Sequence, residues 1–213
     1  MRGKSELKSE TNNAQQTSSG LDRNYITQWS YGIGETFSLM IPNIKGGASV
    51  PIVQNEKAME KANPMYGSIY SQLTQYFGDQ PMTAGPVYVG AFVVLLFILG
   101  LFIVDGPLKW ALGGATLLSI LLSWGHNFMG FTDFFIDYVP MYSKFRAVSS
   151  ALVIAEFTIP LLAILALKQL FDKPELLKEQ IKYLYISFGI TAVFSLLFAL
   201  APRLFFSNFI PTQ

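Results

Sequence analysis

Four apolar stretches dominate the second half of the chain. The first, residues 85–104, has no charged residue across twenty positions. At 1.5 Å per residue, that is enough helix to cross a hydrocarbon core of about 30 Å. Three further stretches follow at residues 108–124, 147–167 and 181–201. The pattern predicts an all-α, multi-pass transmembrane helical bundle of about four spans.

The second stretch is marginal in length for a span. Its apolar part is short, so we expect the helix to extend into its flanks or to lie where the bilayer is thin. Gly113 and Gly114 in its first half favour close helix packing, as small residues do in membranes.

The remaining segments are polar or mixed in character. Residues 1–20 are rich in Ser, Thr, Asn, Gln and Lys without hydrophobic periodicity, which predicts a disordered polar segment. Residues 21–84 mix aromatic residues with glycine and proline, which indicates a loop region outside the bilayer, with Trp29, Tyr31 and Phe37 at headgroup level. Residues 202–213 are predicted to be a tail on the same side.

Loop charges predict the orientation. The 168–182 loop carries four lysines and the 105–109 turn one, whereas the 123–146 loop carries Lys144 and Arg146. An excess of Lys and Arg in short loops marks the cytoplasmic side. Residues 21–84, the 123–146 loop and the tail are therefore predicted to be extracytoplasmic.

Composition narrows the function classes. The chain is 51% hydrophobic and 14% charged, whereas a soluble domain has roughly 25% charged residues. A formal charge of +1 argues against a nucleic-acid partner. The absence of cysteine and the single histidine exclude thiolate catalysis and multi-histidine metal sites, which leaves only carboxylate-rich metal binding. We assign no metal ligand and expect no cofactor.

The 123–146 loop is the segment with the most varied chemistry. Phe131, Phe134, Phe135 and Tyr138 share one helical stripe and Asp133 and Asp137 the opposite face, which predicts a helix lying in the membrane interface. Three interpretations of the two aspartates stay open: solvated carboxylates, a site for a sugar hydroxyl or metal ion, or a tertiary ion pair.

Three basic residues of this loop are candidate ligands of a lipid phosphate. Lys144 offers a compact charge and Arg146 a planar fork, and His126 adds a pH-dependent donor. The alternative for Lys144 and Arg146 is snorkelling toward ordinary headgroups, and for His126 a plain interface residue.

Glu156 lies near the middle of the third predicted span, where an acidic side chain is costly and indicates a functional position. Pro160 cannot donate to the carbonyl of Glu156, so a bent helix is expected. A transporter or flippase with a site at Glu156 is one hypothesis, and a neutral glutamate that holds helices together is the alternative.

Two segments, SYGIGETFSLMIPNIKGGAS (30–49) and LSWGHNFMGFTDFFIDYVPMYSKFRAVS (122–149), resemble the YfhO family of bacterial polytopic membrane proteins. The resemblance covers about residues 20–200. It implies an internal fragment of a larger multi-pass protein in the bacterial inner membrane.

The resemblance also implies a function. It is to proteins similar to GT-C glycosyltransferases, which transfer a sugar from a polyprenyl-phosphate donor in cell-envelope glycosylation. The implied partners are the bilayer, that donor and the remainder of the larger chain. No catalytic residue carries over, since the catalytic acid of GT-C enzymes lies in a first outward loop without a counterpart here. A non-catalytic membrane subunit is a further alternative.

Overall fold

A computed structural model describes residues 21–81 and 87–201, and these contain helices and connecting segments but no β-strand. The all-α prediction is confirmed for these residues. Residues 1–20, the 82–86 stretch and the predicted tail at 202–213 lie outside the described part. The α-helices are α1 (Arg23–Ile26), α2 (Glu56–Met59), α3 (Gly67–Tyr70), α4 (Ala91–Ile103), α5 (Leu108–Ser123), α6 (Met129–Tyr138), α7 (Leu152–Asp172), α8 (Leu176–Glu179) and α9 (Ile181–Leu200).

Short 3-10 helices connect or precede these elements. They span Gly34–Leu39, Ile52–Gln54, Pro64–Tyr66, Gly125–Phe128, Tyr142–Lys144 and Val148–Ala151.

Two helices are long and apolar enough to cross a membrane. They are Val148–Asp172, which is α7 with its preceding turn and has 25 residues, and α9 with 20 residues. A third span results if α5 and Gly125–Tyr138, which meet at a bend of 107°, are taken as one unit. The described residues are therefore helical with two or three candidate membrane spans, where the sequence predicted four.

The first predicted span differs most from the structure. Helix α4 has only 13 residues and starts at Ala91, because Gly90 has a φ of 115° that interrupts the helix. The backbone N–H groups of Val89 and Gly90 donate to the carbonyl of Leu39 at 3.0 and 2.9 Å. Residues 87–90 thus belong to the loop region, because the N–H groups of Val89 and Gly90 bond to Leu39.

Helices α4 and α5 pack on α7, whose buried face lies at the centre of the bundle, and α9 packs on α4. Leu99 of α4 and Leu162 of α7 are among the buried residues of this core. Thr116 of α5 and Thr158 of α7 join their hydroxyl groups at 2.6 Å. Hydroxyl contacts between helices satisfy polar groups where no water is present.

A second core joins the loop region to the bundle. Tyr31 and Leu39 are buried against Leu152, Ala155 and Ile159 of α7. Tyr31 is 1% exposed, so its predicted place at headgroup level is replaced by a place inside the protein.

Phe37 was also predicted to lie at headgroup level, but in the structure it packs against other side chains. It stacks obliquely on Phe194 and Phe198 of α9, with ring centroids 5.3 and 4.7 Å apart. The loop region therefore contacts both α7 and α9.

Close packing of α4 on α7 depends on Gly100. A Cβ at this position would lie 2.9 Å from Leu162 Cγ and 3.0 Å from the Leu162 carbonyl oxygen. We expect Gly100→Ala to destabilise the protein by about 1–3 kcal/mol, because the backbone of α7 cannot yield as a flexible side chain does. Gly114→Ala is the matched control, since nothing lies within 4 Å of that added methyl group. Thermal unfolding in detergent measures both, and equal stabilities of the two variants contradict the prediction.

Candidate functional site

Residues 21–31, called the docking segment below, lie across the end of the bundle. The Tyr31 N–H donates to the Ser123 carbonyl at 2.7 Å, and the Ser149 N–H donates to the Trp29 carbonyl at 3.1 Å. The docking segment is thus tied by its backbone to the end of α5 and to the start of α7.

The turn between α5 and α6 holds the same segment through Ser30. The His126 N–H donates to Ser30 Oγ at 2.9 Å, and His126 Nδ1 lies 3.1 Å from the Thr27 carbonyl oxygen. Gly125 has a φ of +46°, and a Cβ there would lie 2.0 Å from Ser30 Oγ. His126, predicted as a donor to a ligand, therefore contacts the docking segment, and only glycine fits beside it.

Asp133 and Asp137 of α6 both bind Arg23 of α1. Arg23 Nη2 lies 2.7 Å from Asp137 Oδ1, and Arg23 Nη1 donates to Asp133 Oδ1. Of the three interpretations left open by the sequence, the described contacts are those of a tertiary ion pair. One turn of helix separates the two aspartates, which lets a single guanidinium reach both.

A cleft of about 820 Å³ opens beside this ion pair, between the docking segment and the end of α6. Its lining divides into two groups. The polar group is Asp22, Arg23, Asn24, Asp137, Ser143 and Lys144, and the apolar group includes Met129, Ile136, Val139, Pro140 and Met141. The cleft therefore has the amphipathic lining that suits a ligand with a charged head and an apolar chain.

The three predicted phosphate ligands are placed differently. Lys144 lines the cleft. Arg146 donates from Nη1 to the Tyr25 hydroxyl at 2.7 Å, and its guanidinium lies 5.6 Å from the Tyr25 ring and 5.4 Å from the Trp29 ring. Arg146 thus lies against aromatic residues of the docking segment. Neither Arg146 nor His126 lines the cleft.

Arg23 is the cleft cation that sequence reasoning missed. Its partners Asp133 and Asp137 are 110 and 114 positions away in the chain, so no local pattern connects them. The only sequence signal was a charged pair, Asp22-Arg23, near the start of the described residues.

Glu156 lies apart from the cleft. It is exposed and belongs to the second turn of α7, nearer to the start of the helix than to its midpoint. Pro160 lies within a helix that is continuous from Leu152 to Asp172. The predicted midplane position of Glu156 therefore shifts toward one end of the helix.

Glu35 is an acidic residue that the sequence reasoning did not single out. Its side chain is fully buried, accepts from the Tyr76 hydroxyl, and accepts from the Gly32 N–H at 2.7 Å. Burial raises the pKa of Glu35, and the negative charge of Asp79 raises it further against these hydrogen bonds. The signal in the sequence was one acid amid the glycine and aromatic residues of SYGIGETF.

Asn127 of the α5–α6 turn contacts Asp79, whose charge acts on Glu35. Its amide nitrogen donates to Asp79 Oδ2 at 3.2 Å and to the Tyr31 carbonyl at 3.1 Å. Burial raises the pKa of Tyr31 to about 12. Among residues 21–81 and 87–201, no group of three or more His, Cys, Asp and Glu side chains is arranged to hold a metal ion.

Comparisons of the chain with models of protein families, with curated proteins and with solved structures found no match. The resemblance to the YfhO family stays a prediction.

The raised pKa of Glu35 predicts a pH-dependent stability. Because the folded state holds this proton more tightly than the unfolded chain, its contribution is fully present below the ordinary pKa of 4.5 and is lost as pH rises through the folded value. We expect unfolding free energy to fall with pH in the parent protein relative to Glu35→Gln, which has no proton to lose.

Chemical unfolding between pH 5 and 9, followed by circular dichroism in detergent, measures this difference. Glu56→Gln, a change at an exposed glutamate, is the control and is expected to leave the slope unchanged. If the unfolding free energies of Glu35→Gln and the parent change with pH in parallel, the raised pKa of Glu35 is contradicted.

Proposed function

We propose that the chain is part of a GT-C-like glycosyltransferase of the bacterial inner membrane, and that its cleft binds the phosphate of a polyprenyl-phosphate-linked sugar. The observation that carries this proposal is that Arg23 and Lys144 line one cleft together with several apolar residues. The resemblance of residues 30–49 and 122–149 to the YfhO family supports the choice of ligand. The ligand enters from the bilayer beside α6.

The two cations suit the charge of a phosphodiester. Arginine offers a fork of N–H donors that matches two phosphate oxygens, whereas lysine supplies a compact charge. In the transfer, the acceptor hydroxyl oxygen bonds to the anomeric carbon and loses its proton to a base. The bond from that carbon to the phosphate oxygen breaks, and its electron pair stays on the lipid phosphate. Arg23 and Lys144 stabilise the charge that develops there.

The apolar residues of the cleft lining suit the polyprenyl chain. Met129 and Ile136 come from α6, and Met141 from the turn that follows it. Met141 is 67% exposed, and the neighbouring Tyr138 is 75% exposed. Exposed apolar side chains of this kind are favourable where they contact lipid. The cleft thus joins a charged end to a lipid-facing rim.

The extracytoplasmic placement of this cleft follows from the loop charges. Lys168, Lys173, Lys178 and Lys182 lie near the other ends of α7 and α9. By the positive-inside rule that end is cytoplasmic, and the cleft faces outward. Lipid-linked sugars are used on that face in GT-C enzymes.

Removal of the cleft lysine tests the proposal. We expect Lys144→Gln to weaken binding of undecaprenyl phosphate by roughly tenfold, because one charge-assisted contact to the phosphate is lost. Lys178→Gln, at the opposite end of the bundle, is the matched control and is expected to leave binding unchanged. Tryptophan fluorescence of the protein in phosphatidylcholine nanodiscs measures the Kd.

Equal affinities of Lys144→Gln and the parent would contradict the phosphate site. Lipid binding without sugar transfer in the complete protein would favour a flippase or a non-catalytic subunit over the transferase.

A further inference from the structure

We propose that Asp133 and Asp137 compete with the ligand phosphate for Arg23, so that phosphate binding transfers the guanidinium from α6 into the cleft. This inference rests on the proposed function and assigns to its site a step that sets ligand affinity. The ligand class is a phosphate ester or free phosphate, since both offer the oxygen pair that a guanidinium binds.

The contact geometry shows that the donor groups of Arg23 are already engaged. Nη1 donates to Asp133 and Nη2 to Asp137 at 2.7 Å. A carboxylate and a phosphate present similar oxygen acceptors to this fork. A phosphate that binds Arg23 through the same nitrogens must therefore replace at least one of the two aspartates.

Because the ion pair is exposed, the free-energy cost of the exchange is small. The side chains of Arg23, Asp133 and Asp137 are 46%, 41% and 48% exposed. Ion pairs at such exposure contribute little to stability, because water screens them and solvates the separated charges. The released aspartates return to water without an uncompensated buried charge.

The position of the two aspartates relative to the cleft differs. Asp137 lines the cleft together with Arg23 and Lys144, whereas Asp133 is not part of the lining. A phosphate beside Lys144 therefore meets the negative charge of Asp137 first. Of the two aspartates, Asp137 is expected to have the larger effect on ligand affinity.

The backbone around Arg23 is held while its side chain moves. The Leu21 N–H donates to the Ser143 carbonyl at 3.0 Å, and the Asp22 carboxylate accepts from the Asn24 N–H at 2.9 Å. These bonds keep α1 against the segment that carries Lys144. A rotation of the Arg23 side chain alone then brings a second cation toward a phosphate at Lys144.

The test uses substitutions with opposite expected signs. In the full chain in phosphatidylcholine nanodiscs, Asp137→Asn is expected to lower the Kd for undecaprenyl phosphate by roughly threefold, the scale of one exposed ion pair. Asp133→Asn is expected to lower it less. Arg23→Gln is expected to raise the Kd about tenfold. In the Arg23→Gln background, Asp137→Asn is expected to lower the Kd by a smaller factor than it does when Arg23 is present.

Asp105→Asn is the matched control for removing an exposed, paired aspartate. Asp105 lies away from the cleft, and its Oδ2 is 3.2 Å from Lys173 Nζ. This substitution is expected to leave the Kd unchanged. Inorganic phosphate is titrated in parallel. The same signs with both probes support competition for the phosphate group itself, and an effect confined to the lipid assigns the site to a lipid phosphate.

Weaker or unchanged binding in Asp137→Asn, together with weaker binding in Arg23→Gln, would overturn the competition and leave the phosphate site standing. Unchanged binding in Arg23→Gln and in Lys144→Gln would overturn both the competition and the site. Thermal unfolding of each variant confirms that the folded protein is being compared.

Discussion

The contact of Ser30 with the backbone at Gly125 is the constraint on which the candidate site depends. Ser30 Oγ accepts from the His126 N–H, and it occupies the space that a side chain on residue 125 would fill. This close approach fixes the docking segment against the sharp turn between α5 and α6. Arg23, seven residues before Ser30, thereby comes to face α6, and the cleft lies between them.

The bend at this turn has a second consequence. Because α5 and the following Gly125–Tyr138 segment meet at 107°, α6 leaves the direction of the bundle and lies across its end. Its exposed aromatic residues, among them Phe134 and Tyr138, then face the surroundings of the bundle, and its aspartates face the docking segment. An apolar rim and a charged wall are thus placed side by side by one turn.

The aspartates of α6 and Glu35, near this end of the protein, have different environments. The aspartates of α6 are exposed and paired with a cation, which makes them exchangeable. Glu35 is fully buried, and its described hydrogen-bond donors, Tyr76 and Gly32, are uncharged. Burial of an acid favours its neutral form, so Glu35 is suited to holding loops together, whereas the exposed aspartates are suited to exchange with a ligand.

Hydropathy predicted the parts of the fold that local sequence determines. The fourth predicted span agrees with α9 within a residue, and the second with α5, because long apolar runs leave few alternatives to helix. The start of α4 was predicted too early, because the hydrogen bonds of Val89 and Gly90 to Leu39 are tertiary.

The candidate site was predictable only in part for the same reason. Helical periodicity predicted that Asp133 and Asp137 share one face of a helix. The charge of Lys144 made it a candidate ligand of a lipid phosphate. The common partner of the two aspartates, Arg23, lies more than a hundred residues away, and no pattern in the sequence connects distant charges. The burial of Glu35 likewise depends on Tyr76, which is 41 positions away, and no local pattern in the sequence predicts that contact.

The most direct measurement of the central claim is a cryo-electron microscopy structure of the complete protein in nanodiscs with an undecaprenyl-phosphate-linked sugar. The account predicts phosphate density between Lys144 and Arg23, with the Arg23 guanidinium turned away from Asp137 and the lipid chain along Met129 and Met141. Phosphate density elsewhere, with Arg23 still bound to both aspartates, would contradict it.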